Sequence, residues 1–140
     1  MEILKENIKE ISLLTLDDFN KCKSIIPEIQ AWWWLKTNGA YTNKAAYVFI
    51  DGDAYAEGYN VNKDRADVRP LIIVDSKVLN GIGAGDKVTV GKFSATVLNE
   101  ESCLLDECVC KHRFDEKSGN YETSEIKAFI ESEEFLNMIF

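Results

Sequence analysis

Two strand-like runs, KAAYVFI at 44–50 and AYAEGYNV at 54–61, flank Asp51-Gly52-Asp53. An Asp-Gly pair between such runs is a strong short-range hairpin signal, because both residues tolerate the backbone that a tight turn needs. In a tight register Tyr47 and Phe49 share one face with Ala54, Ala56 and Gly58, and Val48 and Ile50 share the other with Tyr55, Glu57 and Tyr59. A hairpin of this kind is only marginally stable alone, so the rest of the chain must supply more strands. WWWL at 32–35 is too short and too aromatic for a helix of its own and reads as a buried strand. VRPLIIVD at 68–75 reads as one continuous strand buried on both faces, with Pro70, which cannot donate to a ladder, near its start. KVTVG, FSATVLN and CLLDECVC, beginning at Lys87, Phe93 and Cys103, add three more. KTNGAYTNK, NKDRAD, NGIGAGD and FDEKSGNYE read as loops.

Helical spacing is confined to the two ends. EISLLTLDDFNKCKSIIP reads as a short strand and then a helix. Thr15 is its N-cap, Asp17 and Asp18 suit the positive end of the helix dipole, Leu16, Phe19 and Cys22 face inward, and Pro27 stops it. Thr123 or Ser124 caps a final helix through Phe140, whose apolar stripe is Ile126, Phe129, Ile130, Leu136 and Ile139. Two helices near the ends and six or seven short strands between them give an α+β chain rather than a βαβ repeat. The length of 140 residues fits a single domain spanning 1–140, able to bury a core without metal or disulfide support.

Hydrophobic residues make up 46% and charged residues 29%, a globular rather than a disordered balance. Sixteen basic and twenty-four acidic residues leave a net charge of −8, which disfavours direct binding of nucleic acid or of an anionic membrane but not of a basic protein. MEILKENIKE has no apolar core of a signal peptide, and no apolar run approaches the ~20 residues that span a bilayer. The expectation is a cytoplasmic protein whose cysteines Cys22, Cys103, Cys108 and Cys110 are buried, reduced thiols. A metal site at Cys103, Cys108, Cys110 and His112 is the competing reading, but on one strand the last three alternate along a face and span about 13 Å, too far to share an ion without a bulge. GIGAGD lacks the G-x-G-x-x-G spacing and precedes a strand, so no helix N-terminus stands behind it to bind phosphate. No cofactor and no metal are expected, and the single histidine with no recognisable carboxylate pair argues against an enzyme.

The segments WWWLKTNGAY, AAYVFIDGDAYAEGYNVN and VRPLIIV resemble an uncharacterised domain family of gut-associated bacteria and their mobile elements. The family carries a Trp-Trp-Leu-Arg-Ser-Pro-Gly segment, then an Ala-x-x-Val…Asp-Gly hairpin, then Gly-Val-Arg-Pro. Trp33, Trp34, Leu35 and Gly39 match the first, Ala45, Val48, Asp51, Gly52, Gly58 and Val61 the second, and Val68, Arg69 and Pro70 the third. Lys36, Thr37, Asn38 and Asp67 depart from the pattern. DKVTVGKFSATVLNEESCLLDE and FDEKSGNYETSEIKAFIESEEF are similar to the family's other portion, a strand pair followed by a helix capped by Tyr-x-x-Ser-x-Ile. In many members that portion comes first; here the WWWL/VRP half is 1–75 and the strand-pair half is 76–140, a permuted order. The resemblance implies a C-type-lectin-like fold, the superfamily of formylglycine-generating enzymes and of the variable proteins of diversity-generating retroelements. The enzyme branch needs a copper-binding cysteine pair that no motif here supplies, so what is implied is a scaffold displaying a binding surface.

On that reading Trp33, Trp34 and Leu35 belong to the core, with the two tryptophans on opposite sides of one strand and Trp32 less buried. Arg69, opening an apolar strand, is expected to be held by a carboxylate or by backbone carbonyls. Tyr41, Thr42, Asn43, Tyr47, Tyr55, Tyr59, Asn62, Lys63 and Arg65 fall between the motif positions and have the composition of an antibody-like binding surface. The plainer alternative is that Tyr47, Tyr55 and Tyr59 are cross-strand packing residues. Two functions follow: a non-enzymatic module that binds another protein through Tyr/Asn-rich loops, or an acidic inhibitor, encoded by a phage or mobile element, of a host enzyme that handles nucleic acid.

Overall fold

The computed structural model describes residues 1–140 and is mixed α and β, with strands predominating. The chain runs β1 (Glu2–Ile3), β2 (Ile8–Ser12), α1 (Leu16–Cys22), β3 (Trp33–Asn38), β4 (Lys44–Val48), β5 (Ala54–Asn60), β6 (Asp67–Val68), β7 (Leu71–Val74), β8 (Lys87–Val90), β9 (Phe93–Asn99), β10 (Ser102–Leu105), β11 (Cys110–Lys111), α2 (Glu125–Ile130) and α3 (Glu133–Ile139). The strands form a six-stranded sheet in the order β1-β8-β9-β10-β7-β2 and a five-stranded sheet in the order β11-β6-β3-β4-β5. Pairing is antiparallel except at β1–β8 and β3–β6. Each sheet takes strands from both halves of the chain: β7 pairs with β10, and β6 with β11.

Several elements depart from the sequence expectation, each for a local reason. VRPLIIV is not one strand. Val68 ends β6 in the small sheet and Leu71 opens β7 in the large one, so the chain changes sheets at Arg69-Pro70, where proline's missing N–H costs neither ladder a bond. CLLDECVC divides the same way, into β10 in the large sheet and β11 in the small one. The final helix is two helices rather than one. Ser124 Oγ accepts from Lys127 N to cap α2, and Ser132 Oγ accepts from Phe135 N to cap α3, so a second N-cap restarts the helix. There are therefore three helices, not two, and Phe135 joins the buried stripe. β3 runs on through Asn38, so only 39–43 of KTNGAYTNK is a loop. β1, which the sequence reading did not assign, pairs with β8 at Glu2↔Thr89. Thr15 caps α1 as expected, accepting from Asp18 N at 3.1 Å, and Phe19 is its buried residue.

Apolar residues pack into a core of 23 and another of 10, and β3 separates them. Trp34 belongs to the larger, with its Nε1 donating to His112 O at 2.8 Å and its ring edge-on to Phe114 at 5.5 Å. Trp33 and Leu35 belong to the smaller, with Phe19 set edge-on to Trp33 at 5.8 Å. Both tryptophans are fully buried on opposite sides of the strand, and Trp32 is half-buried. No helix is long and apolar enough to cross a membrane.

Candidate functional site

The register of the β4–β5 hairpin decides what surface this protein presents. Gly52 N–H donates to Phe49 O and Phe49 N–H donates to Asp53 O, both at 3.0 Å. The loop therefore has three residues, Ile50, Asp51 and Gly52, with Gly52 at φ +83°. This is a turn closed by a glycine bulge rather than the two-residue turn that Asp-Gly suggests. One extra residue shifts the register by one and reverses which side chains share a face. Tyr47 lies opposite Tyr55, not opposite a small residue. A second irregularity follows between Ala45 and Tyr47, and Ala45 then pairs with Tyr59. Gly58 takes up that kink at φ +89°, where a Cβ would sit 2.8 Å from Ala45 O.

The consequence is a continuous aromatic cluster. Trp32 touches Tyr59, Tyr47 and Phe49, at ring-centre distances of 4.5, 5.5 and 6.0 Å. Tyr47 stacks on Tyr55 at 5.3 Å, and Phe49 meets Tyr55 edge-on at 6.2 Å. Edge-to-face and offset pairs of this kind each add about 0.5–1.5 kcal/mol beyond burial. The buried Trp32 Nε1 has no acceptor, so its side chain is fixed by packing, while its backbone O accepts from Asp67 N at 2.6 Å. The cluster lies against β5, which is the edge of its sheet. Tyr55 remains 39% exposed and Ile50, at the hairpin tip, 47%.

Carboxylates border these rings. Tyr55 Oη donates to Asp51 Oδ2 at 2.5 Å. That bond raises the Tyr55 hydroxyl to about 12 and holds the Asp51 carboxyl below its ordinary value. Burial raises the Tyr47 hydroxyl, and the neighbouring Tyr59, Asp51 and Glu57 raise it further. The phenols are thus neutral donors and Asp51 is ionised at neutral pH.

The nine residues expected to form a binding surface are not all brought together. Tyr47, Tyr55 and Tyr59 form one cluster, and Tyr47 and Tyr59 are partly buried in it, so the packing alternative describes those two. Tyr41 stands apart at 68% exposure, joining no ring pair and lying under Lys44 Nζ at 5.4 Å. Thr42 and Asn43 are exposed in side chain but fixed in backbone: Thr42 O accepts from Gly119 N and Asn43 O from Val61 N. Asn62, Lys63 and Arg65 are exposed in the next turn, and Arg65 O accepts from Lys111 Nζ. Trp32, Phe49, Asp51 and Glu57 were missed as site residues. The alternation of Tyr47 and Phe49 was a usable signal for Phe49, whereas the place of Trp32 depends on a register that the sequence does not reveal.

The other chemical candidates are occupied or insulated. All four cysteines are free thiols, but only Cys103 is fully buried; Cys22, Cys108 and Cys110 are half-buried, contrary to the expectation of four buried thiols, and burial still pushes Cys103 and Cys108 up to about 12 and Cys110 to about 11. His112 stacks on Phe129 at 4.4 Å and its Nδ1–H donates to Arg113 O at 2.6 Å. No group of three or more histidine, cysteine or carboxylate side chains is placed to hold a metal ion. Comparison of the chain with protein-family models, with curated proteins and with solved structures finds no match.

Proposed function

We propose that this protein is a non-enzymatic module that binds another protein through the aromatic surface of the β4–β5 hairpin, on a scaffold of C-type-lectin-like type, in the cytoplasm. The observation that carries the reading is the exposed edge of the hairpin: Tyr55, 39% exposed, continues the ring cluster outward, and Ile50, 47% exposed, stands at the hairpin tip, while exposed Tyr41 lies apart in the preceding loop. Half-exposed aromatic anchors with polar tips are the side chains that dominate binding energy in protein interfaces. Their tyrosine hydroxyls and the bordering carboxylates supply polar rim contacts. The rival reading, an acidic surface on the C-terminal helices that mimics nucleic acid, is weaker in this geometry. Arg113 holds Glu125 through two bonds of 2.8 and 2.9 Å, and Lys127 holds Glu131 at 3.0 Å, so part of that charge is already paired within the chain.

The test is a Tyr41→Ser/Tyr55→Ser variant, which spares Tyr47 and Tyr59. It should keep its circular dichroism spectrum and lose the protein that the wild type captures from lysate of its native host. A folded variant that captures the same protein undiminished would reject the hairpin surface.

A further inference from the structure

Four strands stand at the ends of the two sheets: β1 and β2 in the larger, β11 and β5 in the smaller. An edge strand leaves a row of main-chain N–H and C=O groups unpaired, and proteins blunt such rows with short strands, lysines, prolines or covering elements. β1 and β11 have two residues each. β2 carries the exposed Lys9 and lies in a groove with Ile130 of α2 and Leu136 of α3 beside it. β5 alone is long and bare. It runs for seven residues with no lysine and no proline, and Tyr55, Ala56 and Glu57 are exposed in succession, so neither face is covered there.

The hairpin register sets which main-chain groups of β5 face outward. Asp53 O accepts from Phe49 N, Tyr55 pairs with Tyr47 across the ladder, and Glu57 O accepts from Ala40 N. Main-chain groups of alternate residues point to opposite sides of a strand. Asp53, Tyr55 and Glu57 therefore turn theirs inward, and Ala54 and Ala56 turn their N–H and C=O outward. The two methyl side chains let another chain approach these groups closely. Beyond them Gly58 kinks the strand at φ +89°, which ends the open stretch.

The charge around this stretch has one prevailing sign. Asp51, Asp53 and Glu57 border it, and the Glu28 side chain packs over Gly52 at the turn. Lys23 pairs with Asp53 at 2.9 Å, and no cation pairs with Asp51, Glu57 or Glu28. Four carboxylates against one ammonium leave the edge clearly negative. The exposed Tyr55 ring adds a face on which a cation can rest.

We propose that β5 is a seat for strand addition: an extended basic segment of the partner protein pairs with Ala54 and Ala56 as a further strand of the small sheet, its Lys or Arg side chains meeting Asp51, Asp53 and Glu57. Main-chain bonds supply the affinity in such a pairing and side chains the specificity. The inference rests on the hairpin edge being the binding surface, and names the form and charge of what binds there. A second copy of this chain is the wrong occupant, because it would set the same carboxylates against themselves.

The probe is a capped peptide, Lys-Val-Lys-Tyr-Lys-Val-Lys, titrated into isotope-labelled protein, with the peptide in which every Lys is Glu as its control. Amide hydrogen exchange at Ala54 and Ala56 reads strand addition, because side-chain contact alone leaves those N–H groups open to water. At saturating basic peptide, exchange at both amides should slow by about ten-fold or more, and the acidic peptide should give no protection. No saturable binding, equal binding of the two peptides, or binding without protection at Ala54 and Ala56 would overturn the proposal. Slow exchange there without peptide, growing with protein concentration, would mark a second copy as the occupant and overturn it too. Ala56→Pro deletes one outward N–H and leaves the bonds to β4 intact, so it should fold and lose most of the affinity for the basic peptide; full affinity in the folded variant counts against strand addition. If Ala56→Pro does not fold, Glu57→Lys decides: it should weaken the basic peptide several-fold, and unchanged affinity rejects the charge match. If Tyr41→Ser/Tyr55→Ser loses its captured protein while the Ala54 and Ala56 amides stay unprotected, the hairpin surface stands and strand addition fails.

Discussion

At the scale of single residues, the motif-like positions are those where geometry leaves least freedom. Trp34 fills the larger core and satisfies His112 O with its indole N–H. Trp34→Ala should cost roughly 3–5 kcal/mol in urea denaturation, the range for deleting a buried aromatic ring; an unchanged midpoint would contradict its place in the core. Gly58 and Gly81 separate two effects. Both have positive φ, +89° and +82°, but a Cβ on Gly58 would meet Ala45 O at 2.8 Å whereas Gly81 has nothing within 4 Å. Gly58→Ala should therefore destabilise by more than about 1 kcal/mol, and by clearly more than Gly81→Ala, in thermal melts of the two variants. The burial of Trp33 and Trp34 was legible because WWWL, short and aromatic, reads as a buried strand rather than a helix. The carbonyl cage of Arg69, Leu105 O and Pro27 O, was legible too, since a charge in an apolar run must be held by something. The absence of any carboxylate beside that charge was not, because it depends on where Asp106 points.

Elements were legible in kind and less so in extent. Thr15 announced its helix, Ser124 rather than Thr123 proved to cap the next, and Asp51-Gly52 announced the hairpin. What the sequence hid were the breaks: Arg69-Pro70 and the stretch between Leu105 and Cys110 carry the chain from one sheet to the other inside runs that look continuous. Periodicity reports which residues are apolar, and a run buried on both faces looks alike whether it stays in one sheet or passes between two. The hairpin register was hidden for a different reason: a three-residue loop with a glycine bulge uses the same Asp-Gly letters as a two-residue turn. The cap at Ser132 is a direct test of the divided C-terminal helix. Ser132→Ala should cost about 0.5–2 kcal/mol, measured by urea denaturation, because Phe135 N loses its acceptor. No loss would indicate one uninterrupted helix. Asp106 tests the join between β8, β9 and the end of β10. Burial raises its carboxyl, but bonds from Thr96, Lys87 and Ser94 outweigh that and leave it below its ordinary value. A depressed carboxyl stabilises the fold above the unfolded value of about 3.9, and the contribution is lost as pH falls through the lower folded value. Asp106→Asn should thus be less stable than wild type at neutral pH, with the gap closing in acid; a gap that stays constant with pH would show that the charge plays no part.

At the scale of the whole molecule, two sheets share a strand-rich body in which both halves of the chain are interleaved, and the hairpin closes one edge of the smaller sheet. The acidic balance and α+β class were legible from composition and pattern alone. The site was legible only as a composition of tyrosine and amide side chains. The structure sorts that composition, drawing Tyr47 and Tyr59 inward against Trp32, leaving Tyr55 and Ile50 at the outer edge and setting Tyr41 apart. The central claim is that this edge, rather than the acidic helices, meets the partner. The most direct measurement places a photo-crosslinking amino acid at Tyr55 or, separately, at Glu134 on α3, followed by irradiation in lysate of the native host. The account predicts a discrete protein adduct from position 55 and none from position 134; an adduct from position 134 with none from position 55 would contradict it.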